Sequence, residues 1–282
     1  MRPFAKSPQA GVQIQRWGIF AGTQWSRHCL GSQPESMHVG ISTILPRPAC
    51  QVRLYLECPV PAEVAHITLP HDLERAVPGR QLHFRAGRYC AMKAMASLDR
   101  RFEGSQVGRA HNGAPVWPDG TTGSITHTVG FASAAVALTT DTESLGIDTE
   151  RIVSESQAQE IGSLVMSPEE SAHARAAGLS EPVAFTLVFS AKESIFKCLH
   201  PITGEFMDFH DVRIDHIDIQ KRLFSATLTR VLSVRFAMHS RLHGCFEIDA
   251  PWVHTGLALP PSAGTWSDDR DLPDAGVDRS LL

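Results

Sequence analysis

FSAKESIFK, at residues 189–197, lies inside a run that is otherwise apolar, with PVAFTLV before it and CL after it. The run has the length and the apolar content of a buried helix, and we predict a helix from Pro182 to about residue 200. Charged side chains are rarely buried unless they are paired or bind a ligand. Lys192, Glu193 and Lys197 therefore either line a solvated face of this helix or face a charged ligand.

The spacing of these three charges permits two interpretations. Each residue of a helix is rotated by about 100° from the one before it, so Glu193 and Lys197 are nearly aligned and Lys192 lies on the adjacent flank. We predict that all three share one sector of the helix. They form either an ordinary ion pair between residues four apart, or a site where the carboxylate completes a metal's ligand shell and the lysines neutralise phosphate oxygens.

A second acidic motif, GIDTE at residues 146–150, reads as a strand. Alternate side chains of a strand project to one face, so Asp148 and Glu150 project together, and Gly146 leaves space beside them. Two adjacent carboxylates repel unless a cation neutralises them or one is protonated. Their oxygen atoms suit Mg²⁺ or Mn²⁺ rather than zinc. The alternative is a solvated strand end at which Arg151 pairs with them.

Two further features favour an anion. GSITH, at residues 123–127, is predicted to be a small-residue turn whose backbone N–H groups and hydroxyls could approach an anion closely; it could equally be a turn that leads into a strand. Arg80 and Arg88 are eight residues apart on a predicted helix at 78–98, so they could share one basic face. Such a face is also an ordinary helix surface.

The order of these segments resembles the Sfp-type 4′-phosphopantetheinyl transferases. That family carries the signatures (W/F)-x-x-K-E-(A/S)-x-x-K and G-(I/V)-D-x-E. Here Phe189, Lys192, Glu193, Ser194 and Lys197 fill the first signature, and Gly146, Ile147, Asp148 and Glu150 fill the second. PVWPDGTTGSITH and FRAGRYCAMKA are similar to the enterobactin synthetase component D branch. The resemblance covers residues 50–250.

The resemblance implies an enzyme that moves the phosphopantetheine arm of coenzyme A onto a serine of a carrier protein and releases 3′,5′-ADP. By this resemblance, Asp148, Glu150 and Glu193 would hold Mg²⁺, or Mn²⁺ in its place. Lys192 and Lys197 would contact the pyrophosphate together with Asp148 and neutralise its developing charge. Glu193, directly or through water, would take the serine proton. These two roles of Glu193 compete, because a metal-bound carboxylate is a poorer base.

The same resemblance assigns the contacts with coenzyme A. Thr126 and His127 would contact its 3′-phosphate, and Arg80 and Arg88 would hold its phosphates. One position departs from the family: Asn112 stands where many relatives carry a basic residue before the Pro-x-Trp-Pro loop.

We expect Arg109 or His111 to substitute for that basic residue. Both lie within three residues of Asn112 along the chain.

The predicted fold class is α+β. A strand at 52–57, the helix at 78–98 and a loop at 112–123 come first. Strands at 134–140 and 144–150, two helices and a mainly antiparallel set of strands follow, with Ser167 as an N-cap and Glu170 three residues later. The resemblance implies two similar α/β halves with the active site between them.

The expected domains are an N-terminal extension at 1–45, an N-terminal half at 46–145, a C-terminal half at 146–260 and a disordered tail at 261–282. The N-terminal half would hold the coenzyme A phosphates, and the C-terminal half the metal and catalytic motifs. The extension is basic, with its first acidic residue at Glu35, and it is predicted to be a poorly ordered or upstream-extended N-terminus, or else an organellar transit peptide.

Composition narrows the class of function. A formal net charge of −4 over 282 residues gives no general affinity for nucleic acid. No apolar run approaches the roughly 20 residues that span a bilayer, and we expect a cytoplasmic monomer. The expected partners are coenzyme A and an acyl, peptidyl or aryl carrier protein, and the branch suggests nonribosomal peptide or siderophore synthesis. The rival hypotheses are a Mg²⁺-dependent nuclease or phosphodiesterase, and a non-catalytic coenzyme A-binding protein.

Overall fold

The structure is a computed structural model, and it describes residues 37–41, 44–45 and 47–261. In chain order, the strands are β1 (Met37–Ile41), β2 (Cys50–Tyr55), β3 (Gly108–Arg109), β4 (Pro115–Val116), β5 (Thr121–Thr128), β6 (Phe131–Leu138), β7 (Ser144–Arg151), β8 (Val212–Asp218), β9 (Leu223–Leu228), β10 (Arg241–Asp249) and β11 (Trp252–Leu259). The helices of the α type are α1 (Pro78–Leu98), α2 (Glu155–Val165), α3 (Pro168–Ala176) and α4 (Glu181–Thr203). This mixture confirms the predicted α+β class.

The first half is an antiparallel sheet in the order β1-β2-β6-β5, and α1 packs on it. The predicted bounds of α1 are confirmed, with Pro78 in its first turn. Ala86, Cys90 and Ala94 are fully buried where α1 meets the sheet. A Cβ atom at Gly87 would lie 2.7 Å from Cγ2 of Ile125 in β5, so glycine lets the helix approach this strand closely.

The second half is an antiparallel sheet in the order β7-β11-β10-β9-β8, and α4 packs against β7 and β11. A Cβ atom at Gly146 would lie 2.0 Å from the carbonyl oxygen of Ser194 in α4. The space that this glycine leaves is therefore filled by the helix backbone, and it is not available beside the carboxylates as predicted. Ser190 and Thr255 form a buried hydroxyl pair at 2.9 Å between α4 and β11.

The two sheets meet where β5 runs beside β7. The Ser124 hydroxyl accepts a hydrogen bond from the Ile147 N–H at 3.1 Å, and the Thr126 hydroxyl accepts one from the Thr149 N–H at 3.0 Å. Side-chain oxygens thus satisfy buried backbone donors that have no strand partner on this side. The prediction that GSITH forms a turn is wrong, since all eight residues of β5 pair with β6.

Two other predicted elements change. The predicted loop at 112–123 contains β4, which pairs with β3, and β5 begins inside it at Thr121. Residues 37–41, within the segment expected to be poorly ordered, form a strand that pairs with β2. The remainder of the predicted extension lies almost entirely outside the described residues, and so does the tail. Among the described residues, no helix combines the length and hydropathy needed to cross a bilayer.

Candidate active site

Asp148 and Glu150 both project from β7 toward β5, as their spacing predicts. Oδ1 of Asp148 accepts a hydrogen bond from the Thr126 hydroxyl at 3.2 Å, and Oε2 of Glu150 accepts one from the Thr128 hydroxyl at 3.2 Å. Asp148 is 3% exposed. The two carboxylates are therefore fixed side by side at the seam between the sheets.

The local electrostatics favour a cation at this pair. Burial raises the pKa of Glu150 well above its usual range, and the carboxylates of Asp148 and Glu193 raise it further. Lys197 and the hydrogen bond from Thr128 act in the opposite direction. Two acidic groups thus lie close enough to Glu150 to disfavour its charge, which a bound cation would relieve.

Helix α4 places Glu193 and Lys197 toward β7. The Lys197 ammonium forms an ion pair with Oδ1 of Asp148 at 2.6 Å, and Glu193 acts electrostatically on Glu150. Because these helix residues are four apart, both side chains reach the same strand. The part of the prediction that places Glu193 and Lys197 in one sector is confirmed.

Lys192 does not belong to that sector, so the prediction that all three charges share one face is wrong for this residue, and its contact with phosphate stays a prediction. Its ammonium is buried, 3% exposed, and donates to the carbonyl oxygens of Val165 and Phe209, each at 2.8 Å. It also pairs with both oxygens of Glu170, at 2.8 and 2.9 Å. All of its donors are directed at protein atoms on the side of α4 that faces α3.

Glu170 explains how a charged lysine is tolerated there. The predicted capping box is present: Glu170 accepts from the Ser167 N–H at 2.8 Å, and its backbone N–H donates to the Ser167 hydroxyl. Its other oxygen accepts from the Ile214 N–H at 2.7 Å. Burial lowers the pKa of Lys192, and Glu170 counteracts this shift. The buried pair therefore ties α3, α4 and β8 together.

We expect Lys192→Met to lower the free energy of unfolding by about 3–5 kcal/mol, because it leaves the Glu170 carboxylate buried without its cation. Chemical denaturation of the two proteins measures this difference. Turnover per folded molecule should change little, since the Lys192 ammonium already donates to Val165, Glu170 and Phe209. A variant with unchanged stability and a large loss of turnover would return Lys192 to the catalytic set.

Thr126 is buried beside Asp148, and its contact with the 3′-phosphate stays a prediction. It is 2% exposed, its oxygen accepts from the Thr149 N–H and its proton is directed at Asp148. His127, the next residue of β5, projects to the opposite face, where its ring stacks on His83 of α1 at a centroid distance of 5.2 Å. The structure therefore separates the two residues that the sequence grouped together.

The surroundings of His127 are basic. Burial lowers the pKa of His127 to about 3, and the neighbouring His83, Lys197 and Arg80 lower it further. Arg80 is exposed on α1. Lys197 lowers the pKa of His127 and also pairs with Asp148. The basic region, formed by His127, Arg80 and Lys197, therefore adjoins the acidic pair of Asp148 and Glu150.

Arg88 extends the basic region along α1. Burial lowers the pKa of Arg88 to about 10, and the charge of Arg109 lowers it further. Within the described part of the chain, its Nη1 atom is buried without a hydrogen-bond partner. Two guanidinium groups close together repel, and a bound anion would relieve this repulsion and satisfy the buried donor.

Arg109 is held in place by Asp72, whose two oxygens accept from its Nη1 atom at 2.8 and 2.9 Å. Asn112, the position that departs from the family pattern, accepts a hydrogen bond from the Ala114 N–H within its own turn. Because the charge of Arg109 lowers the pKa of Arg88, Arg109 is better placed than His111 to substitute for the basic residue expected at Asn112.

The carboxylate oxygens of Asp148 and Glu150 are ligands that suit a hard cation. No group of three His, Cys, Asp or Glu residues among the described residues is already arranged to hold a metal. Oδ2 of Asp148 is buried and has no hydrogen-bond partner among those residues. It lies on a carboxylate whose other oxygen is occupied by Lys197 and Thr126. With Glu150 beside it, this oxygen could bind Mg²⁺ or Mn²⁺, which commonly retain several waters and need few protein ligands.

Comparisons with known proteins identify the family that shares this fold and these motifs. Residues 69–137 match the model of the 4′-phosphopantetheinyl transferase N-terminal domain, and residues 144–248 match that of the 4′-phosphopantetheinyl transferase superfamily. The fold and the motifs thus define a transferase. The chain belongs to the 4′-phosphopantetheinyl transferases, of the Sfp type.

Three relatives illustrate the range of similarity. The chain is 34% identical over 197 residues to 4′-phosphopantetheinyl transferase Svp of Streptomyces mobaraensis, which covers 67% of this chain and 76% of the relative. It is 32% identical over 177 residues to 4′-phosphopantetheinyl transferase Npt of Nocardia iowensis, covering 62% and 75%. It is 35% identical over 144 residues to enterobactin synthase component D of Escherichia coli K12, covering 50% and 66%.

Proposed function

We propose that this protein transfers the 4′-phosphopantetheine group of coenzyme A to a serine of a carrier protein, with Mg²⁺ bound by Asp148 and Glu150. The observation that carries the proposal is the junction of the acidic pair with the basic region through Lys197, which contacts Asp148 and acts on His127. A pyrophosphate bound to a cation needs both surroundings at once. Mn²⁺ could replace Mg²⁺, since oxygen ligands accept both ions.

The proposed step is a displacement at phosphorus. The serine oxygen attacks the phosphorus of the phosphopantetheine group, the bond to the bridging pyrophosphate oxygen breaks, and 3′,5′-ADP leaves. We assign the serine proton to the Glu193 carboxylate, which lies beside the acidic pair. Lys197 stabilises charge on the pyrophosphate, and the bound cation would neutralise its oxygens.

The basic region is the proposed site for the phosphates of coenzyme A. Neutral His127 can donate one N–H, while Arg80 and Arg88 supply positive charge, and the buried Nη1 of Arg88 would gain a partner. Arg109, positioned by Asp72, adds a second guanidinium group near Arg88. The names of the enterobactin synthase relatives suggest a carrier protein of nonribosomal peptide or siderophore synthesis.

The products distinguish this proposal from its rivals. Incubation with coenzyme A, Mg²⁺ and an apo carrier protein should release 3′,5′-ADP in a one-to-one ratio with holo carrier, as measured by chromatography. A carrier whose acceptor serine is replaced by alanine is the control and should yield no 3′,5′-ADP. Cleaved nucleic acid strands would indicate a nuclease, and binding of coenzyme A without product would indicate a binding protein.

We expect His127→Ala to raise the KM for coenzyme A roughly tenfold or more, as for loss of a hydrogen bond to a charged group. The KM for 3′-dephospho-coenzyme A should change much less, because that substrate lacks the contacted phosphate. His243→Ala, an exposed histidine of β10, serves as the matched control. An equal rise in KM for both substrates would show that His127 does not contact the 3′-phosphate.

A further inference from the structure

We infer that Thr126 and Thr128 are positioning residues that hold the Asp148 and Glu150 carboxylates ready for a divalent cation. The inference rests on the proposed function, because it deepens the metal site described there. It assigns to β5 a role in metal binding in addition to the proposed phosphate contact of His127.

The alternation of β5 separates two sets of side chains. Ile125 faces α1, where it meets Gly87, and His127 faces the same helix, where it stacks on His83. Ser124, Thr126 and Thr128 face β7. One face of β5 therefore lines the basic region, and the hydroxyls on its other face contact β7, the strand that holds Asp148 and Glu150.

The hydrogen bonding of Thr126 is fixed by its single hydroxyl proton. The Thr149 N–H can only donate, so the Thr126 oxygen must accept at that contact of 3.0 Å. The proton is then free for Oδ1 of Asp148 at 3.2 Å. Thr126 thereby links the backbone of β7 to the orientation of the carboxylate on the same strand.

Because Thr126 and Lys197 occupy one oxygen of Asp148, the second oxygen is left available for a cation. Oδ1 already accepts from Thr126 and from Lys197, whereas Oδ2 is buried with no hydrogen-bond partner in the described part of the chain. Thr128 orients Glu150 in the same way, because its hydroxyl donates a hydrogen bond to Oε2 of that carboxylate. Two hydroxyls two residues apart thus orient two carboxylates two residues apart.

Partners that orient metal ligands commonly change metal affinity by about 10–100-fold when they are removed. We therefore expect Thr126→Val and Thr128→Val each to weaken Mn²⁺ binding by about tenfold or more. Thr126→Ser, which keeps the hydroxyl, should bind Mn²⁺ nearly as the unmodified protein does. Thr122→Val on the same strand is the matched control, since Thr126 and Thr128 are the residues that donate to the two carboxylates.

The measurement is a titration with Mn²⁺ followed by electron paramagnetic resonance of the free ion. The protein is saturated with coenzyme A and no carrier protein is added, so no turnover occurs; a blank with coenzyme A alone is subtracted. Affinity for coenzyme A is measured separately in EDTA. If Thr126 binds phosphate instead, Thr126→Val would weaken coenzyme A in EDTA and leave Mn²⁺ affinity unchanged, and this result would overturn the inference.

Two outcomes separate this inference from the proposed function. Unchanged Mn²⁺ affinity in both valine variants, with normal Mn²⁺ binding and transfer by the unmodified protein, would overturn the positioning role alone. Transfer that proceeds without Mn²⁺ binding by the unmodified protein would overturn both. Because Thr126→Val also strips the Thr149 N–H of its acceptor, Thr128→Val carries the test if that variant fails to fold.

Discussion

Glu193→Gln is expected to lower kcat by about 10²–10⁴-fold, the usual contribution of a positioned general base. The amide keeps the size and shape of the side chain but has neither the negative charge nor the basicity to take the serine proton. Since Glu193 acts electrostatically on Glu150, the variant also removes a carboxylate from the acidic cluster. The fold should be retained, because the substitution is nearly isosteric.

Initial rates of holo-carrier formation at saturating coenzyme A measure this effect. Glu181→Gln, at the first turn of the same helix, is the matched control and should retain normal turnover. The KM for coenzyme A should change less than kcat, because the lost interaction belongs to the transition state. Near-normal turnover by Glu193→Gln would end its assignment as the base.

The second large effect is expected for Asp148→Asn. This change removes one charge from the proposed metal site and breaks the ion pair with Lys197 at 2.6 Å. We expect kcat/KM at limiting Mg²⁺ to fall by about 10²–10³-fold, as for loss of a group that positions charge in the active site. The apparent Mg²⁺ requirement should rise at the same time, because a neutral amide oxygen is a weaker ligand for a hard cation.

A Mg²⁺ titration of the transfer rate tests this expectation. Asp141→Asn, an exposed carboxylate in the turn before β7, is the control and should leave the titration unchanged. Raising Mg²⁺ should restore part of the activity of Asp148→Asn if the defect is in metal binding. Full activity at limiting Mg²⁺ would show that Asp148 does not belong to the metal site.

Local patterns predicted the features that depend on near neighbours along the chain. The bounds of α1 follow from Pro78 and the helical pattern behind it, and they are confirmed. The shared direction of Asp148 and Glu150 follows from strand alternation alone, and Glu193 and Lys197 are brought together by their helical spacing. These features need no information about distant residues.

The errors arise where a distant segment decides the outcome. The prediction that Lys192 shares a sector with Glu193 and Lys197 is wrong because its partner, Glu170, lies 22 residues earlier in a separate helix. A signal was nevertheless present. Val188, Ile195 and Leu199, which lie one or two turns from Lys192 on α4, are buried and mark its side of the helix as the core side.

The seam between β5 and β7 could not be predicted from single segments. Small residues made 123–127 resemble a turn, whereas pairing with β6 makes them a strand. The alternating hydroxyls at 124, 126 and 128 were the available signal for a polar face. The stacking of His83 on His127 and the approach of Arg109 to Arg88 depend on the packing of α1 and β3, which no local pattern encodes.

The most direct test of the central claim is the intact mass of an apo peptidyl or aryl carrier protein after incubation with this protein, coenzyme A and Mg²⁺. We predict a gain of one phosphopantetheine group, which disappears when EDTA is present or when the acceptor serine is replaced by alanine. An unchanged mass across peptidyl, acyl and aryl carriers, while coenzyme A still binds, would contradict the transfer reaction proposed for this site.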